Sequence, residues 1–239
     1  MSHHTVVKDN QEPALILANG SPCRRELLEQ LLEWSPKVIA LDGAFDRLVD
    51  WEIKVDAVIG DMDSLNQGEF GLKPGETSSD TARLIQAQEY VAQRQDGVVW
   101  VHTPDQEATD LQKALRWLYA QGHRAAHLLW ANGPGADHFV GNLHAVATVP
   151  EDFAVTMIQD DSRIFRLPKQ FSKCYEAGSR LSLIPFPIAE GIRTENLVYA
   201  LTDEELQLGK RLGISNTVDR TALVRIDHRS GCLMLQEPL

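Results

Sequence analysis

Short apolar runs alternate with segments of helical spacing through the first 150 residues, and this rhythm limits the possible folds more than any other feature. The apolar runs are Ala14 to Ala18, Val38 to Leu41, Asp56 to Gly60, Val98 to His102 and His127 to Ala131. Between most of them the apolar residues return every three or four positions, as on one face of a helix. Glu26 to Trp34 reads as one such helix, preceded by Ser21-Pro22, and Thr81 to Gln95 as another. Leu111 to Leu118, closed by Gly122, reads as a third, and Phe139 to Val149 as a fourth. Strand and helix in turn imply an α/β fold with a doubly wound, mostly parallel sheet.

After Pro150 the period changes. Phe153 to Ile158, Arg163 to Leu167, Arg180 to Pro185, Leu197 to Leu201, Ala222 to Ile226 and Cys232 to Gln236 are short alternating runs of strand type. Asp227 to Gly231 has the composition of a hairpin loop. Only Asp203 to Lys210 keeps helical spacing. The expectation is an α/β domain over 1–150 and an antiparallel β-sandwich over 151–239. There is no internal repeat and no low-complexity linker.

Composition narrows the function. A formal charge of -11 disfavours nucleic acid, whose binding rests on many Lys and Arg contacts to phosphate. No apolar run is long enough to cross a bilayer, so no membrane partner is expected. Cys23, Cys174 and Cys232 are far apart and odd in number, which fits a reducing cytoplasm and no disulfide framework. His3 and His4 in the polar start read as a loose terminus.

In open α/β sheets ligands sit at the carboxyl ends of the strands. Four successive predicted strand ends deliver acids: Asp42-Gly43, then Asp61-Met62-Asp63-Ser64, then Asp105 to Asp110, then Asn132 to His138 with Asp137. Any one aspartate is explained by turn or helix-start chemistry, and Thr109 by capping. Four on one edge would repel one another without a cation between them. Oxygen ligands without His or Cys suit Mg²⁺, which completes its shell with water and substrate phosphates. Gly43, Gly133 and Gly135 allow backbone N–H groups close to phosphate oxygens. The sequence holds no GxxxxGK[ST] and no GxGxxG after the first strand, which disfavours a P-loop kinase and an ordinary dinucleotide dehydrogenase.

These residues match a family pattern. Asp42-Gly43, the run Asp56 to Ser64 (DAVIGDMDS), Thr109-Asp110 with Lys113, and Asp137-His138 with Asn142-Leu143 resemble thiamine pyrophosphokinase. So do Gly178 to Pro185, Thr194 to Leu201 and Gly213 to Thr217, all in the family's order. The resemblance implies a homodimer with sites at the subunit interface. It implies transfer of the terminal pyrophosphoryl group of ATP to the hydroxyethyl oxygen of thiamine, releasing AMP. By position it makes Asp61, Asp63 and Asp110 the Mg²⁺ ligands. Asp42, Gly43 and Asp137 complete the acidic pocket around metal and nucleotide, and Gln106 faces thiamine or its phosphates. Lys113 either reaches a phosphate or only pairs with Asp110, one helical turn away. Ser215 and Asn216 either meet the aminopyrimidine or are ordinary turn residues. Tyr199 stands where the family has a tryptophan near thiamine, and by its local pattern would pack in a core or interface. His138 reads as a packed histidine at a helix start.

Four positions depart from the family: Ala44 replaces a second glycine, Gly135 an arginine, Asn196 a glycine and Tyr199 the tryptophan. The metal set is intact while the acceptor pocket is altered. The rival readings are the same transfer to another small alcohol such as a hydroxymethyl pterin, a non-catalytic thiamine diphosphate-binding protein, and a phosphohydrolase using the same acids.

Overall fold

The structure is a computed structural model that describes residues 12–61, 65–68, 81–103, 105, 107–133 and 135–239. The expectations placed on His3, His4, Asp63 and Gln106 lie outside these residues. The chain divides into two compact units, one running to Ala145 with Val149–Phe153, the other made of Val146–Thr148 and Ala154–Leu239.

The first unit holds strands β1 (Ala14–Leu17), β2 (Val38–Leu41), β3 (Ala57–Gly60), β4 (Val99–His102) and β5 (Ala125–Leu129). Its helices are α1 (Arg25–Leu32), α2 (Ala44–Asp50), α3 (Thr81–Arg94), α4 (Asp110–Ala120) and α5 (Ala136–Ala147). A short 3-10 turn, Leu65–Gly68, follows β3. The strands lie in the order β4-β3-β2-β1-β5, every pair parallel. Strands β1, β2 and β3 are buried along their whole length, as a sheet covered on both faces requires. Ile16, Ile39, Phe45, Leu48, Ile59, Leu118 and Leu128 are fully buried, and each such side chain stabilises the unit by roughly 1.5–3 kcal/mol.

The second unit is antiparallel: β6 (Ala154–Ile158), β7 (Ser162–Arg166), β8 (Gln170–Tyr175), β9 (Arg180–Glu195), β10 (Thr202–Gln207), β11 (Gly213–Thr217), β12 (Ala222–Asp227) and β13 (Ser230–Pro238). Long β9 organises it. Its first part pairs with β11 and β13, and its last part with β10 and β12. Leu181, Leu183, Ile192, Leu206, Val224, Ile226, Leu233 and Leu235 from these strands form one core.

The fold class follows the sequence reading, with local corrections. Asp203 to Lys210, read as helical, belongs mainly to β10: its Glu and Leu favour helix, but pairing with β9 overrides that preference. Leu197 to Leu201 is not a strand. It is a loop that opens on Asn196 at φ 64 and makes a single bridge, Leu197 to Val218. Asp227 to Gly231 is not a hairpin loop, because β12 and β13 each pair with β9 and not with each other. Helix α2 and strands β8 and β11 went unread.

Candidate active site

In the first unit β1 is flanked by β2 on one side and β5 on the other, so the chain leaves the sheet centre in opposite directions beyond it. A crevice forms at the carboxyl ends of strands where such a reversal occurs. Here it is a cleft of about 710 Å³, lined by Asn19 and Gly20 after β1, Asp42 after β2, Asp61 after β3, and Trp130 and Gly133 after β5. Asp110 and Lys113 of α4 and Asp137 of α5 complete it.

Three acids meet there. One carboxylate oxygen from each of Asp42, Asp61 and Asp110 lies within 4.8 Å of the other two. Asp42 is 4% exposed and adopts a left-handed backbone, φ 45, which aspartate tolerates better than bulkier residues. Gly60 leaves them room: a Cβ on it would stand 3.2 Å from the Asp42 Cβ and 3.3 Å from the Asp110 carboxylate. Asp110 is set by a capping box at the start of α4. The Thr109 hydroxyl accepts from the Gln112 N–H at 3.3 Å, and the Gln112 side chain accepts from the Thr109 N–H at 3.0 Å. Thr109 therefore does cap the helix, and capping aims Asp110 at the cleft.

Lys113 is buried. Its Nζ donates to the Thr103 carbonyl at 2.9 Å and to Asp110 Oδ1 at 3.1 Å. Nearby His102, opposite Gly60 on β4, has its imidazole pushed to lower pKa by burial and then by the Arg83 charge, while Asp61 pulls the other way. Arg83, buried on α3, is thus a cation near His102 that the sequence reading overlooked. Asp137 does not join the three acids: it is exposed, in the first turn of α5 on the cleft wall. Gly135, where the family pattern has arginine, lies under it, and a Cβ there would sit 2.2 Å from Asp137 Oδ1. His138 is exposed, with its Cβ over Gly133. Gly43 is the residue preceding α2, and Ala44 behind it is fully buried in the helix's first turn.

Sequence reasoning also missed Asn19, Gly20 and Trp130. The rule applied to the other strand ends identifies Asn19-Gly20 once it is applied to β1. Trp130 carries no such signal, since it was read as part of an apolar strand. It follows β5 at φ 55, with the Arg47 guanidinium 5.0 Å over its ring and Trp51 set edge-on at 5.4 Å.

The second unit gathers the other candidates. Asn216 is buried, and its side chain clasps the backbone of Tyr199. Oδ1 accepts from the Tyr199 N–H at 3.1 Å, and Nδ2 donates to the Tyr199 carbonyl at 2.8 Å. Oδ1 also accepts from the Thr217 N–H at 2.9 Å. The Tyr199 ring is 70% exposed, so it is not core packing. Ser215, at φ 55, accepts from Arg180 Nη2 at 3.2 Å. Asn196, in the family's glycine position, occupies the left-handed region that glycine would fill. Asparagine is among the few other residues that visit it readily.

Comparison with known proteins adds the family. A model described as thiamin pyrophosphokinase, catalytic domain, matches residues 28–158, more than half of the chain. A second, thiamin pyrophosphokinase, vitamin B1 binding domain, matches 168–233. No curated protein matches the sequence. The fold is similar to the crystal structure of thiamine pyrophosphokinase from Bacillus subtilis, with TM-score 0.71 and 19% identity over 94% of this chain and 98% of that one. It is also similar to the yeast enzyme, with TM-score 0.72 and 15% identity over 98% and 88%. The thiamin pyrophosphokinase of Candida albicans gives 0.68 and 14% over 95% and 89%.

Proposed function

The chain belongs to the thiamin pyrophosphokinase family, and from that premise we propose that it moves the terminal pyrophosphoryl group of ATP to the hydroxyethyl oxygen of thiamine. The products are thiamine diphosphate and AMP. The observation that carries the reading is the convergence of Asp42, Asp61 and Asp110 at the switch point of the parallel sheet. The match over 168–233 favours thiamine over a pterin alcohol, and the retained Asp61 and Asp110 favour catalysis over mere binding.

The acid group fits Mg²⁺: hard oxygen donors close enough to share one ion, with neither His nor Cys among them. Asp61, Asp63 and Asp110 would hold it, with Asp42 beside them. An ion held by these residues would supply positive charge against the charge that grows on the phosphate oxygens in the transition state. The chain's own residues do the positioning. Lys113 keeps Asp110 turned to the cleft and adds its charge on the same side. Asn19, Gly20, Gly133 and Asp137 line the wall offered to the nucleotide, and by the family resemblance Gln106 would face thiamine or its phosphates. Attack at the β-phosphorus makes the new O–P bond and breaks the one to the α-phosphate oxygen, so AMP leaves and the alcohol proton is released. Most of the rate enhancement in such a transfer comes from alignment.

In the second unit Asn216 acts first on Tyr199, presenting the ring as an aromatic face for the cationic thiazolium. Ser215 and the remaining Asn216 amide hydrogen would meet the aminopyrimidine. Exposed Val198, Tyr199 and Ile214 beside them fit a homodimer that covers this surface, which light scattering after size exclusion tests as a doubled mass. Three free cysteines fit a cytoplasmic enzyme, and no described helix is long and apolar enough to cross a membrane.

The test is AMP release from Mg-ATP with and without thiamine, with thiamine diphosphate followed by mass. The expected result is AMP appearing in step with thiamine diphosphate. Folded protein that binds Mg-ATP and releases no AMP with thiamine would overturn the acceptor, and AMP without any acceptor would indicate hydrolysis.

A further inference from the structure

We propose that Asp46 is a positioning residue for the acidic cleft: by holding Asn66 of the 3-10 turn Leu65–Gly68, which follows Asp61 in the chain, it sets how Asp61 approaches Asp42 and Asp110. The inference rests on the reading above that these acids hold a divalent cation. Asp46 stands on α2, the helix that begins just after Asp42. Its Oδ2 accepts from the backbone N–H of Asn66 at 2.6 Å, and its Oδ1 accepts from the Tyr90 hydroxyl at 2.8 Å. Hydrogen bonds to a carboxylate are about twice as strong as neutral ones.

Asn66 lies in the 3-10 turn that follows Asp61, at φ 48. On the other side of Asp61, β3 is held in register with β4: Gly60 pairs with His102, and its carbonyl accepts from the Thr103 N–H at 3.0 Å. Asp61 thus falls in the chain between two anchored residues, Gly60 held by the sheet and Asn66 held by Asp46. Fully buried Leu65 reinforces the second. Because α2 carries Asp46 and starts next to Asp42, one rigid element references both acids.

The two arms of Asp46 can be separated. Helix α3 is held near α2 without Tyr90: Arg94 pairs with Asp50 at 2.7 Å, and the Gln95 side chain accepts from the Val55 N–H at 2.6 Å and donates to the Ile53 carbonyl at 3.1 Å. Tyr90→Phe therefore removes the α3 arm alone, while Asp46→Ala removes both.

The experiment measures Mn²⁺ binding by electron paramagnetic resonance, and the Mg²⁺ concentration that half-saturates turnover, in the wild type and both variants. Loss of a residue that orients a metal ligand typically costs 10–100-fold in metal affinity, so Asp46→Ala is expected to weaken both by about 10-fold. Its thiamine KM should stay unchanged, and Tyr90→Phe should stay within about twofold of wild type. Asp46→Ala binding Mn²⁺ as tightly as wild type overturns the proposal. So does Tyr90→Phe losing as much as Asp46→Ala, since the effect would then run through α3. Should Asp46→Ala not fold, Asp46→Asn takes its place, with a smaller loss expected in the same direction and wild-type binding as the overturning result. The Mn²⁺ arm is independent of the assigned reaction. A wild-type chain that binds Mn²⁺ but makes no thiamine diphosphate removes the reaction and leaves the Asp46 test standing.

Discussion

The two units handle their buried and half-buried carboxylates in opposite ways. In the first, Asp42, Asp61 and Asp110 are brought within 4.8 Å of one another, and gathering like charges costs stability. In the second, the single carboxylate of Glu237 is 1% exposed and cations converge on it. Arg163 Nε donates to it at 2.6 Å, Lys173 Nζ at 2.8 Å, and the Tyr175 hydroxyl also donates. Its pKa is lowered: burial alone would raise it, and the hydrogen bonds from Lys173, Tyr175 and Arg163 outweigh that. One arrangement gathers negative charge at the rim of a cleft, and the other is closed on itself by its own cations. Burial of an acid is therefore no sign of function; what surrounds it decides.

Four substitutions can break or sharpen that contrast. The largest effect is expected from Asp61→Asn, which should cut turnover by about 100-fold or more while leaving the unfolding free energy unchanged or slightly raised. A steady-state assay beside urea unfolding checks it, and a loss of stability in proportion to activity would make the acid structural. Glu237→Gln should do the reverse. Removing the charge leaves Arg163 and Lys173 without their partner, costing about 3 kcal/mol in urea unfolding while kcat at 25 °C stays within about twofold.

The third concerns acid. His228 is buried, and its pKa is pushed down to about 4 by burial and then by the Lys169 and Arg166 charges. A histidine whose folded pKa lies below its unfolded value near 6.5 costs stability as pH falls between the two, because the unfolded chain binds the proton first. Between pH 7 and 5 the wild type should lose about 2 kcal/mol from this group, and His228→Gln should remove that share of the acid sensitivity. Unfolding titrations at the two pH values decide it. The smallest effect is expected from Asn216→Ala. Losing the clasp on the Tyr199 backbone should cost about 1 kcal/mol, with KM for thiamine rising and KM for ATP unchanged. An equal rise in both would deny that the second unit serves thiamine alone.

How much of this was legible follows from range. The α/β unit was readable because parallel strands buried on both faces are continuous apolar runs, and Val38–Leu41 matches β2 end for end. The acids were readable because a strand-end rule converts sequence order into place. Helix α2 was missed because it is seven residues long and follows Asp42-Gly43, which reads as a turn. Strand β8 was missed because its outward residues, Gln170, Ser172 and Cys174, make it look like a loop. Glu237 and Arg83 gave no local signal, since what makes them matter lies far along the chain: Glu237 meets Arg163 74 residues away. Asn216 stood out in the sequence only as a candidate, and its hold on Tyr199 depends on β11 being placed beside the loop.

The central claim is that the three converging acids exist to hold a divalent cation. The most direct measurement is a Mn²⁺ titration of the wild type and Asp61→Asn, followed by electron paramagnetic resonance, with ADP present to complete the site. Saturable Mn²⁺ binding is expected in the wild type, displaced by Mg²⁺, and its loss is expected in Asp61→Asn. Equal binding by the two proteins, or none by the wild type, would contradict it.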